Sequence, residues 1–139
     1  MMRNMKGKVM LSGAGNICHV ASAIHAEAVA ALRSVQHAAH LGMQHVILET
    51  DATVLANALN SADIDRSAIG SLVHQIRDLV RFEFSSCIIS SCNRECKNIA
   101  NCLAKYGANV LYPGSEELMS QVPVFVKNLI SDDLPTCEN

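Results

Sequence analysis

The stretch that decides the fold runs from Ile24 to Asp51, IHAEAVAALRSVQHAAHLGMQHVILETD. Apolar residues at Ile24, Ala28, Leu32, Val35 and Ala39 recur at the three-to-four spacing of one helix face, and Gly42 stands where a helix C-terminal cap belongs. After Gln44, the run His-Val-Ile-Leu-Glu closing on Thr50-Asp51 reads as a buried strand in a mostly parallel sheet. A helix from Glu27 to Leu41 climbs roughly 21 Å, and a strand from His45 to Asp51 returns roughly 20 Å. Glu27 and Asp51 are therefore expected at one edge, the C-terminal strand edge where α/β folds place their sites. Two carboxylates held together raise each other's pKa unless a cation neutralises them, and all-oxygen ligation favours Mg²⁺. Each acid also has an ordinary structural job. Glu in a helix's first turn suits the macrodipole, and Asp51 suits the N-cap of a helix over 52–59.

Working outward toward the N-terminus, Lys8 to Ser12 is a strand candidate after the turn residue Gly7. Ile17 to Val20 is a second, with Gly13, Gly15 and Asn16 marking a hairpin turn between them. Ser22 suits the N-cap of the helix that carries Glu27. His19 and His25 read as solvated or hydrogen-bonded, and His37 and His40 as surface residues. Beyond Asp51, Val54, Leu55, Ala58 and Leu59 predict a short helix ended by Asn60-Ser61, followed by a polar connection with Asp63, Asp65 and Arg66. The clearest helical stripe is Ile69, Leu72, Val73, Ile76, Leu79 and Val80. Residues 82–91 read as a strand and Asn93-Arg94-Glu95 as the loop after it. Ile99, Cys102, Leu103 and Tyr106 then predict a last packed helix, closed by Gly107. Residues 122–130 predict a short strand or helix, and 132–139 a mobile end.

A chain of 139 residues with 50% hydrophobic content fits one domain with a real core and excludes a disordered polymer. No apolar run approaches the roughly 18 residues of a membrane span, and the basic start lacks the apolar core of a signal peptide. The expectation is a soluble, intracellular protein without a membrane partner. The six cysteines are then reduced thiols, and Cys92, Cys96 and Cys102 lack the paired spacing of a zinc site. Net charge is −2, unfavourable for a nucleic-acid binder. From Glu116 onward, however, five acids stand against Lys127 alone, which leaves ten bases against eight acids, net +2, in residues 1–115.

Ala26-Glu27 with Leu32, Leu48-Glu49-Thr50-Asp51-Ala52, and Arg94-Glu95 with Ala100 and Leu103-Ala104 carry a resemblance. In this order and spacing they resemble the plant ribonuclease H-like domain family, which is similar to type 1 ribonuclease H and is found in reverse-transcriptase-related, retroelement-derived sequences. The resemblance covers residues 6–112, leaving 113–139 as a C-terminal extension, partly docked or mobile. It implies an α/β fold, a ribonuclease H-like mixed sheet flanked by helices. It also implies an RNA–DNA hybrid ribonuclease, a hydrolase and endonuclease that cuts the RNA strand by two-metal phosphodiester hydrolysis with Mg²⁺ or Mn²⁺. Glu27 and Asp51 take the catalytic and metal-ligating positions, with Glu27 on the 2′-hydroxyl side. Asn101 stands as a weak ligand where the family carries its last Asp, and Lys97 where it carries Asn. The family's first, central strand, which supplies an Asp that bridges the metals, has no counterpart among residues 1–6. It would lie between the Val9 strand and the Val46 strand, so the chain is expected to be N-terminally truncated and its activity impaired.

Three functions follow. One is a nuclease of this class. Another is a non-catalytic module that binds RNA/DNA hybrid or RNA through Arg94, Lys97 and Lys105. The third is an interaction scaffold or decayed fragment whose exposed sheet pairs with another chain, including a second copy of itself.

Overall fold

The structure, a computed structural model, describes residues 1–92, 98–121 and 123–129. In chain order the elements are β1 (Met2–Arg3), β2 (Val9–Gly15), α1 (Ala23–His40), β3 (His45–Thr50), α2 (Thr53–Asn60), α3 (Gly70–Glu83), β4 (Ser86–Ser91), α4 (Asn98–Val110), β5 (Glu116–Met119) and a 3₁₀ helix, Val124–Leu129. The fold is mixed α/β. Among the described residues, five strands form two sheets, accompanied by four α-helices, as expected for a ribonuclease H-like mixed sheet flanked by helices. No strand links β2 to β3 among them. The chain forms two compact units, one of Val20–Cys92 and one of Met1–His19 with Asn93–Asn139.

In the Val20–Cys92 unit, α1 begins where Ser22 Oγ accepts the His25 N–H at 3.2 Å. It ends at Gly42, whose φ of 71° suits glycine and whose N–H donates to the Ala39 carbonyl at 2.9 Å. Its buried face is Ala28, Ala31, Leu32, Val35 and Ala38. This face packs with Ile69, Val73 and Ile76 at the start and along the inner side of α3, and with Leu55, Ala56 and Leu59 of α2. Arg77 of α3 donates to the carbonyls of Asp63 and Ala58, so one guanidinium fixes the end of α2 and the polar connection together.

β3 and β4 pair in parallel, in register from His45 opposite Ser86 to Thr50 opposite Ser91. The expectation of a strand buried on both faces is corrected here. Val46, Leu48 and Thr50 turn inward, but Ile47 is 66% exposed and its neighbour Ile88 is 58% exposed. A two-stranded sheet with helices on one face leaves the other to solvent. The residues 82–91 strand is shorter than expected, because Phe82 and Glu83 continue α3 and the chain straightens only at Phe84.

The second unit corrects the N-terminal hairpin. Ile17 to Val20 is not a strand, and Gly13 and Gly15 lie within β2. The hairpin instead joins β1 to β2, turning where Asn4 Oδ1 accepts the N–H groups of Lys6 and Lys8 and where Gly7 adopts φ 75°. β5, unanticipated in so acidic a segment, pairs antiparallel with residues 12–15 of β2. Ala14, Ile99, Leu103 and Val126 form the core here. Gly107 does not stop α4. The helix runs three residues further, and at Gly107 it lies so close to β2 that an added Cβ would sit 2.4 Å from the Gly15 carbonyl oxygen. Asn16, expected in a turn, donates to the carbonyls of Ala108 and Leu111 and ties off the end of α4.

Candidate functional site

The candidate acids lie in the Val20–Cys92 unit. Glu27 is one turn into α1, and Asp51 follows the last residue of β3; both are half-buried. α1 packs on β3 and the short turn between them reverses the chain. A helical path of about 20 Å and a strand path of about 20 Å bring both acids to the same end of the β3–β4 sheet.

Neither acid stands at the helix position that its ordinary structural job requires. The first turn of α1 contains no acid, and Ser22 caps it. The N-cap residue of α2 is Ala52, which makes no side-chain hydrogen bond, so Asp51 stands one residue before the N-cap position expected of it from sequence. Asp51 is instead placed by its neighbour. Thr50 is 4% exposed; its hydroxyl accepts the Ala52 N–H at 3.1 Å and its carbonyl accepts the Cys92 N–H at 3.0 Å. The strand end, the turn and the chain after β4 are thereby fixed around one buried threonine. Sequence reading passed over Thr50, although a Thr two residues before a helix start is the pattern of a side-chain-to-backbone turn.

The remaining candidates lie elsewhere in the chain. Asn101 and Lys105 belong to α4 in the other unit, four residues apart and both exposed. Lys105 borders a shallow hollow of about 330 Å³ with Cys102, Tyr106, Asn109, Val110 and Phe125. The Tyr106 and Phe125 rings lie 5.3 Å apart, and Tyr106 Oη donates to Glu117 Oε2 at 2.7 Å. That bond, with burial and the carboxylate charge behind it, holds the Tyr106 hydroxyl above the usual tyrosine range. Arg94 and Lys97 lie outside the described residues. Burial pushes the Cys87 thiol up, away from the thiolate a nucleophile needs.

Among the described residues, no three His, Cys, Asp or Glu side chains group so that they could hold a metal ion. Two carboxylates do not fit a two-ion centre, whose charge needs a larger shell of acids. Among the same residues no helix is long and apolar enough to cross a membrane.

The fold converges with one comparison. A family model described as reverse transcriptase-like matches residues 1–107. The chain belongs to the reverse transcriptase-like family, a ribonuclease H-like domain family. Searches of curated proteins and of solved structures returned no match. As a reverse transcriptase-like domain, the chain is expected to interact with nucleic acid in general terms. Its first acidic residue in sequence is Glu27.

Proposed function

We propose that this reverse transcriptase-like domain is a plant, retroelement-related ribonuclease H-like module that engages RNA/DNA hybrid or RNA inside the cell. Its class hydrolyses the RNA strand of the hybrid, and in this chain that hydrolysis is absent or greatly reduced. The observation that supports the reading is that Glu27 lies one turn into α1 and Asp51 directly after β3, positions that element lengths bring to one end of the β3–β4 sheet. The same observation sets the limit. A single Mg²⁺ or Mn²⁺ between these carboxylates is the most this donor set supports. The thiols of Cys18, Cys87 and Cys102 are free, in keeping with a reducing compartment.

The test is cleavage of a labelled RNA/DNA hybrid by the purified chain in Mg²⁺ or Mn²⁺, with Asp51→Asn and Glu27→Gln as controls. The expected result is hybrid binding with little or no cleavage. Turnover close to that of an intact family member, lost in either variant, would overturn the impaired reading.

A second reading, assembly through the exposed sheet, is favoured by one observation: Ile47 and Ile88 stand side by side in solvent. Apolar pairs on an uncovered sheet face are a recurrent mark of pairing surfaces.

A further inference from the structure

The hollow beside Lys105 lies wholly within one unit, between the C-terminal half of α4 and the 3₁₀ helix, and both of its rings are held in place. Tyr106 packs on the core of Ala14, Ile99, Leu103 and Val126, and its hydroxyl donates to Glu117 Oε2 at 2.7 Å. Phe125 is held by its neighbour. Val126 is fully buried in that same core, and its N–H donates to the Pro123 carbonyl at 3.0 Å. The Phe125 ring is therefore presented outward, 52% exposed, with its centroid 5.3 Å from that of Tyr106 and the two planes 33° apart. Rings at this separation attract each other, so the pair keeps its shape without a ligand and offers a preorganised aromatic platform.

Two polar groups stand at the rim. Lys105 is exposed, and Asn109, one turn further along α4, donates from Nδ2 to the Lys105 carbonyl at 2.9 Å. That bond fixes the Asn109 amide and leaves its Oδ1 without a partner among the described residues. A shallow hollow of about 330 Å³ is at the low end of ligand sites and suits one planar group laid on a ring rather than an inserted helix. An apolar side chain from a protein partner would cover the rings but leave the ammonium and the amide oxygen unanswered. An unpaired nucleotide answers all three: its base stacks on Phe125, a base N–H donates to Asn109 Oδ1, and its phosphate meets Lys105. Within a duplex the base faces are covered by their neighbours and the pairing edge is in use, so a paired nucleotide offers neither.

We infer that the hollow between α4 and the 3₁₀ helix is a subsite for one unpaired nucleotide of a single-stranded nucleic acid. This rests on the nucleic-acid reading above and narrows it. Every base has a face to stack, so the subsite separates single strands from double strands rather than one sequence from another.

The test is fluorescence anisotropy of the full chain, in EDTA, with a labelled single-stranded RNA and with a blunt RNA/DNA hybrid of the same sequence. Phe125→Ala is expected to weaken single-strand binding about tenfold and hybrid binding by less than about twofold. Phe125→Trp, which keeps an aromatic face, is expected to hold single-strand binding within about threefold of the parent. An aminopurine placed in the single strand is expected to lose fluorescence on the parent chain and to keep it on the Phe125→Ala variant. Unchanged far-ultraviolet circular dichroism controls for folding. Should Phe125→Ala fail to fold, the parent chain still decides, because an aminopurine left bright in the bound strand would overturn the subsite. Single-strand binding indifferent to Phe125→Ala, or a parent that binds hybrid alone, would overturn the subsite and leave the hybrid reading standing. A parent that binds neither would overturn both. Anilinonaphthalene sulfonate that binds only while Phe125 is present, and that the single strand does not displace, would assign the hollow to an apolar partner and overturn the proposal as well.

Discussion

At the residue scale, Thr50, Gly107 and Asp65 each fix something that their type alone does not announce. Thr50 holds the Asp51 turn from within, whereas Gly107 lets helix α4 lie against β2 because it lacks a Cβ. Gly107→Ala would place that atom 2.4 Å from backbone oxygen, which neither strand nor helix can yield easily. It is expected to lower stability by about 1–3 kcal/mol, seen as a lower urea midpoint with an unchanged slope. Asp65 accepts the Ser67 N–H at 2.8 Å in the connection before α3. The Ser67 hydroxyl and N–H together hold its carboxyl below the ordinary value of 3.8. Because the folded pKa is the lower one, this contribution is complete above the unfolded value and fades as pH falls through the folded one. Wild type and Asp65→Ala should therefore differ in urea midpoint at pH 6, and the difference should shrink steadily below about pH 4.

At the element scale, helices were more legible than strands, and the reasons are physical. α1 and α3 bury a single face, so their stripes could be read from spacing alone, and the Ser22 and Gly42 ends of α1 use side-chain and φ preferences that sequence states openly. Ser22→Ala is accordingly expected to cost about 1 kcal/mol, measurable by thermal melts followed at 222 nm. The strands depend on partners far away in sequence. β1 was missed because Met2–Arg3 is too short to show a period, and β5 because Glu116-Glu117 argues against a strand until Tyr106 and β2 supply its contacts. Glycines at 13 and 15 suggest a turn and Gly107 a stop, whereas the first two lie within β2 and Gly107 lets the backbones of α4 and β2 approach closely. Element lengths alone suggest one sheet end for Glu27 and Asp51, but that Glu27 lies beyond the first turn of α1 and that Ala52 is the N-cap residue of α2 is visible only in the structure. Tyr106 makes the β5 pairing titratable. Its hydroxyl pKa is raised in the folded chain, so the Glu117 bond contributes fully below about pH 10 and is lost above it. Tyr106→Phe should remove that alkaline loss of stability, as read from melts at pH 8 and pH 11.

At the scale of the whole molecule, charge decides how a ribonuclease H-like domain of this composition can hold a nucleic acid. A net charge of −2, with residues 1–115 at only +2, leaves little for counterion release to work with. Affinity must then come chiefly from hydrogen bonds to sugar hydroxyls and phosphates and from stacking, which vary little with salt. Exposed Lys105, beside the Tyr106 and Phe125 rings, is the described residue best suited to add one phosphate contact. The dependence of hybrid affinity on salt should therefore be shallow, a slope of log K against log salt between about −1 and −3. Lys105→Ala should reduce its magnitude by about 1 and weaken binding by a similar factor for every sequence tried. Fluorescence anisotropy of a labelled hybrid at several salt concentrations, in the presence of EDTA to keep binding separate from cleavage, gives both numbers. A slope steeper than about −6 would require an extended basic surface that this charge distribution does not provide, and the binding reading would then need a different face of the protein.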